Sequence, residues 1–151
     1  MSSPYLDALK MLARRELSEV LVRQRLVRRG YDSDSIDAAV ARLKEERAID
    51  DARVAEAIAR TETSVKHRGK LRVRLQIERA GIGASTARRA VDDIFATIDD
   101  DALIEASLAK RLDGEATVTD EAHFARLYRY LLGQGFDADK VVLVLKARSV
   151  K

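Results

Sequence analysis

Leu26-Val27-Arg28-Arg29-Gly30-Tyr31-Asp32, followed by Ile36 and Val40, is one of three copies of a short pattern. The second reads Ile77-Glu78-Arg79-Ala80-Gly81-Ile82-Gly83, followed by Ala87 and Val91. The third reads Leu131-Leu132-Gly133-Gln134-Gly135-Phe136-Asp137, followed by Val141 and Leu145. The glycines recur with a period of about fifty residues, the spacing of stacked supersecondary units.

The physics of one unit is legible. Val22 and Leu26 lie four apart, on one face of a helix. Gly30 stands where that helix needs a left-handed residue to stop, a conformation glycine adopts cheaply. Tyr31 follows as an apolar anchor, replaced by Ile82 and Phe136 in the copies. The run Asp32 to Ser35 offers side-chain oxygens to cap the next helix. Ile36, Val40 and Leu43 form that helix's buried stripe. Each unit therefore contains helix, glycine turn, anchor and helix.

Working outward, Pro4 suits the first turn of a helix from Tyr5 to about Arg14. Ser18 caps a second helix that Gly30 ends, and a third runs from about Ser35 to Glu46. Asp50 or Asp51 caps a helix from Ala52 to about Lys66. Leu71-Arg72-Val73-Arg74-Leu75-Gln76-Ile77 alternates like a strand. The repeat decides for helix, because Val73 and Ile77 precede Gly81 as Val22 and Leu26 precede Gly30. Leu71 and Leu75 then form a second stripe, and both stripes are expected to touch neighbours. Further helices are expected over Ser85–Ala96, Ala102–Leu112, Glu121–Gln134 and Ala138–Arg148, with the clearest loop near 113–119. The expected fold is all-α, with three tandem three-helix, helix-turn-helix-like repeats in an elongated, curved array. The expected units are 1–48, 49–98 and 99–151.

Composition agrees with a helical, highly charged protein: of 151 residues, 35% are charged and 5% aromatic. There is no cysteine, which excludes a disulfide framework and zinc-thiolate chemistry. The sequence offers no membrane span and no signal peptide, so a cytoplasmic location is expected. A monomer is expected because no large apolar surface remains once the helix stripes are paired. His67 and His123 stand apart from any ligand pattern, and Asp50-Asp51 and Asp92-Asp93 read as caps or solvated acids. Gly81-Ile82-Gly83 lacks the strand and the third glycine of a nucleotide loop. No catalytic residue, metal site or cofactor is expected, and the chain is not expected to be an enzyme.

Base is what stands out. Lys66, Arg68, Lys70, Arg72 and Arg74 form a run containing no acid. Arg14, Arg15, Arg23, Arg25, Arg28 and Arg29 form a second group around the first unit's middle helix. Net charge is only +3, so distribution matters more than total. Such stripes can meet phosphates or acidic protein patches, with salt-sensitive binding. The tyrosines do not form a stacking platform with them.

These motifs resemble the RecX family of bacterial RecA regulators, from about Tyr5 to Ala147. Ala13-Arg14-Arg15-Glu16-Leu17-Ser18, Arg25-Leu26 and Arg29-Gly30-Tyr31 follow the family's opening. Leu43-Lys44-Glu45-Glu46 running into Ile49-Asp50-Asp51-Ala52-Arg53-Val54-Ala55-Glu56 is its most specific string. Gly69, Leu75 and Gly81-Ile82 match in the second unit, Leu131 and Gly135-Phe136-Asp137 in the third. Val54 stands where the family usually has phenylalanine, Leu21 replaces an acid, and no proline follows Gly69. The resemblance implies binding to RecA in the helical groove of the RecA–DNA filament. It implies reduced filament extension, ATPase, strand exchange and coprotease activity, without catalytic residues or cofactor. It supplies no contact motif. The contact residues expected on charge alone are Lys66, Arg68, Lys70, Arg72 and Arg74, with Arg28 and Arg29 in support. Weak, non-specific nucleic-acid binding is expected beside them. The alternative is an independent helix-turn-helix DNA-binding protein. Its second helices would be poor readers, since Asp37, Glu45 and Glu46 oppose DNA.

Overall fold

The computed structural model describes residues 2–112 and 117–149. Among them the chain is all-helical, with α1 (Pro4–Arg14), α2 (Glu19–Arg28), α3 (Ser33–Glu45), α4 (Asp51–Ser64), α5 (Lys70–Arg79), α6 (Ala84–Phe95), α7 (Asp100–Leu112), α8 (Glu121–Gly133) and α9 (Ala138–Arg148). The residues of the expected loop from Asp113 to Ala116 lie outside the described ones. No described helix is long and apolar enough to cross a membrane.

Local chemistry accounts for most of the boundaries. Ser3, Ser18, Asp32, Asp50 and Asp120 each accept a backbone N–H of the first helical turn with their side-chain oxygens. α7 begins at Asp100, two residues before the expected start, because Asp99 accepts from the amides of Asp101 and Ala102. Gly30, Gly81 and Gly135 have φ of +91°, +88° and +97° and stop α2, α5 and α8. Past Gly30, the Tyr31 amide returns to the Leu26 carbonyl and the Gly30 amide to Val27, a Schellman closure.

Helices α1–α3 pack on one another, as do α4–α6 and α7–α9. The apolar core does not divide the same way. Val22, Leu26, Ile36, Val40 and Leu43 join Ala8, Met11, Leu17 and Ile49 in one cluster under α1–α3. A second, continuous cluster runs from Val54 through Val73, Ile77, Ile104 and Leu108 to Leu131, Phe136 and Leu145. Six helices share it. Val73 and Ile77 are fully buried, whereas Leu71 and Leu75 are 68% and 40% exposed. The expectation that both α5 stripes touch neighbours is therefore corrected. One side of a ten-residue helix faces α4 and α6, and the other faces solvent.

The triplets meet through their glycine turns. At α5, Gly69 has no side chain to cap the helix. The turn of the third triplet does it instead. The Gly69 amide donates to the Gln134 carbonyl at 2.8 Å and the Leu71 amide to the Gly135 carbonyl at 3.2 Å. A methyl group on Gly135 would lie 2.3 Å from the Arg72 amide nitrogen, and one on Gly69 would lie 2.6 Å from the Gly135 carbonyl. The same relation recurs one triplet earlier. Ser18 caps α2 and also donates its hydroxyl to the Ala80 carbonyl at 2.5 Å, while Gly81 abuts the Val20 side chain. Gly30 has no such neighbour: nothing lies within 4 Å of where its Cβ would be.

Asp7 is the buried acid of the first triplet. It accepts from the Tyr31 and Ser2 hydroxyls, and Arg29 lies 3.4 Å away. The Tyr31 bond first, then the Ser2 bond, hold its carboxyl below the usual carboxylate range, with Arg29 adding to them.

Two predictions follow from these contacts. Gly30→Ala should cost only the left-handed backbone penalty, about 1–2 kcal/mol. Gly135→Ala should add about 1–3 kcal/mol of overpacking against Arg72. Urea unfolding of both variants measures the difference, and equal losses would remove the close approach as a constraint. Because the folded pKa of Asp7 is depressed, its stabilisation is present at neutral pH. It is lost as pH falls from the ordinary carboxylate range through the folded value. Asp7→Asn should flatten the stability profile on the acid side of the ordinary carboxylate range. An unchanged acid limb would show that other carboxylates dominate it.

Candidate partner-binding surface

The basic run from Lys66 to Arg74 spans the tight turn after α4 and the first half of α5. Arg68 and Thr61 shape the turn: the Arg68 amide returns to the Glu62 carbonyl, and the amides of Val65 and Lys66 to Thr61. His67 sits at its apex with φ of +52°, a left-handed non-glycine residue.

The run itself contains no acid, yet carboxylates just outside it neutralise part of its charge. Glu62 is 5% exposed, and its carboxylate accepts from Arg68 at 2.8 Å and from Lys66 at 3.4 Å. Arg74 pairs with Glu78 at 3.0 Å, one helical turn away. Arg72 donates to the Gly133 carbonyl at 3.1 Å, so it fastens the third triplet. Lys70 has no carboxylate partner among the described residues and lies 5.7 Å from the centre of the Phe95 ring. Arg68 and Arg72 thus hold the fold together, and each keeps a buried Nε without a hydrogen-bond partner. Lys66, Lys70 and Arg74 keep their charge within reach of solvent.

The feature that charge alone did not reveal is the apolar pair beside them. Lys70 and Arg74 lie along one row of α5, Leu71 and Leu75 along the adjoining row. Leu71 also borders a groove of about 240 Å³ with Ile104, Phe136 and Lys140. The exposed side of α5 is therefore an apolar stripe edged by cations. Its signal was present in the sequence as the second stripe of a helix with only one buried face.

Arg28 and Arg29 stand apart from this surface, on α2 of the first triplet. Arg29 is held by Asp7, and Arg28 is exposed with no carboxylate partner among the described residues. The structure thus presents two separate basic regions.

The histidines have local roles. The His123 ring nitrogen Nδ1 accepts from the Thr119 amide at 3.2 Å, just before α8. Among the described residues, no group of three histidine, cysteine, aspartate or glutamate side chains could hold a metal ion.

Comparison with known proteins agrees with this architecture. Residues 5–43 match the family model described as RecX, first three-helix domain. The chain is 32% identical over 147 residues to the regulatory protein RecX of Acidithiobacillus ferrooxidans, covering 97% of this chain and 91% of that protein. It is 30% identical over 131 residues to the regulatory protein RecX of Syntrophotalea carbinolica, covering 86% of each. The crystal structure of RecX from Lactobacillus salivarius superposes with a TM-score of 0.76 at 21% identity, over 95% of this chain and 93% of that one. At that identity the superposition speaks for the fold, and the sequence relationship speaks for descent. Taken with the three glycine-turn triplets, these relationships establish that the chain belongs to the RecX family of regulatory proteins.

Proposed function

We propose that this protein regulates the RecA recombinase. In this reading it lodges in the groove of the RecA–DNA filament and limits filament extension, and with it ATPase, strand exchange and coprotease activity. The observation that carries the reading is family membership over nearly the whole chain, at 97% coverage of this chain in one relative. The match runs through all three triplets.

The exposed side of α5 is the contact surface we assign to RecA. Leu71 and Leu75 supply apolar area, and Lys66, Lys70 and Arg74 supply a positive rim that favours an acidic partner face. Arg68 and Arg72 support this surface from within. Arg28 and Arg29 belong to a separate region of the first triplet. A helix-turn-helix mode, with α3 as the reading helix, is disfavoured by exposed Asp34, Asp37, Glu45 and Glu46.

The decisive experiment is RecA's single-stranded-DNA-dependent ATPase, with this protein titrated in well below one per RecA. Suppression at such amounts is expected, because a few molecules can arrest a whole filament. An effect appearing only when the protein saturates the DNA would instead mean competition for DNA. The double variant Leu71→Glu/Leu75→Glu should fold normally, since both side chains are exposed. It should raise the half-suppressing concentration about tenfold or more, the worth of one lost apolar anchor. Unchanged suppression would remove α5 as the contact.

A further inference from the structure

The first triplet concentrates positive charge in a second region, apart from the α5 face. Where α1 and α2 converge, Lys10, Arg14 and Arg15 from one side face Arg25, Arg28 and Arg29 from the other. Together they line an open groove of about 650 Å³. Met11, largely buried, is the apolar residue of its lining.

Several cations outside the groove are matched by carboxylates. Arg23 and Lys44 share Glu19, Arg42 pairs with Glu46, Arg53 with Glu16, and Lys66 and Arg68 share Glu62. In the groove, Asp7 reaches Arg29 at 3.4 Å, and it is already committed to Tyr31 and Ser2. Lys10, Arg14, Arg15, Arg25 and Arg28 have no carboxylate partner among the described residues. Like charges gathered on two convergent helices repel one another, and a bound polyanion relieves that repulsion.

The composition of the groove selects the polyanion. Five of the six cations are arginines, whose planar forks match phosphate oxygens in pairs. A protein partner would need an apolar or aromatic anchor at the centre of its contact, and this lining offers only the buried edge of Met11. Phosphate binding needs no anchor, because its free energy comes from counterion release. The lining also lacks the asparagine or glutamine that would read a base edge, and lacks an aromatic ring on which an unpaired base could stack.

We infer that the groove between α1 and α2 is a phosphodiester-backbone site that holds duplex nucleic acid without reading its sequence. The inference does not depend on RecA, and it gives the protein a second contact distinct from the α5 face.

The test is fluorescence anisotropy of the full chain with two labelled DNA duplexes of unrelated sequence, across a potassium chloride series and without RecA. Both duplexes should bind equally, with log affinity falling linearly in log salt. Arg14→Glu/Arg28→Glu should lower affinity about tenfold or more at moderate salt and reduce the magnitude of the salt slope by about two. Arg88→Glu/Arg89→Glu makes the same change in net charge on exposed positions of α6 and should leave the slope alone. Circular dichroism confirms that each variant is folded. An unchanged slope in the groove variant overturns the proposal, as does an equal loss in the α6 variant, which would mean diffuse attraction by net charge. If the wild type shows no duplex binding and the groove variant instead loses ATPase suppression, the groove meets an acidic protein surface and the proposal fails. Intact duplex binding with no ATPase suppression would sink the RecA reading alone.

Discussion

The fold depends on a contact between main chains. Where a glycine turn meets the start of the preceding triplet's middle helix, no room is left at the glycine for a side chain. At α5 the approach is closest. The carbonyls of Gln134 and Gly135 take the amides of Gly69 and Leu71, so a turn in one triplet serves as the cap of a helix in another. Two glycines are required there for different reasons. Gly135 must be left-handed and bare, and Gly69 has ordinary extended backbone but must be bare as well. Arg72 completes the joint from the side. At the earlier junction a serine hydroxyl performs both tasks, capping its own helix and donating to the neighbour.

Much of this was legible in the amino-acid sequence. The glycine period, the apolar anchors after each glycine and the capping oxygens are local signals, and local hydrogen bonding decides them. The stripe Val73–Ile77 was readable as helix only through the repeat, because its alternation is equally that of a strand. What local reading missed depends on what arrives from elsewhere in the chain. Leu71 and Leu75 looked like a second buried stripe, yet no helix covers them. The burial of Asp7 under Tyr31 likewise requires the first glycine turn to fold back on α1.

The basic run shows a different kind of miss. Glu62 and Glu78 lie just outside it, each four residues from a cation, and that spacing was visible. Counting charge inside the run hid them. The structure separates cations that hold the fold, Arg68 and Arg72, from cations that face outward. It also shows that Arg14, Arg15, Arg25, Arg28 and Arg29 of the second basic group converge with Lys10 where α1 and α2 meet, whereas Arg23 is paired with Glu19 and Asp37. Sequence distance concealed that convergence.

Three repeats rest on two cores, and this mismatch sets the grain of the molecule's motion. The cluster from Val54 to Leu145 belongs jointly to α4–α9, so neither of its triplets can open without exposing apolar surface of the other. The first triplet carries its own cluster and is tied on by polar contacts at Ser18, Glu19 and Arg53 and by the Val20 side chain against Gly81. Breathing of the chain is therefore concentrated at one joint. The α1–α2 groove rides on the lighter body and the α5 face on the heavier one. The two proposed contacts can then adjust their separation without unfolding either body.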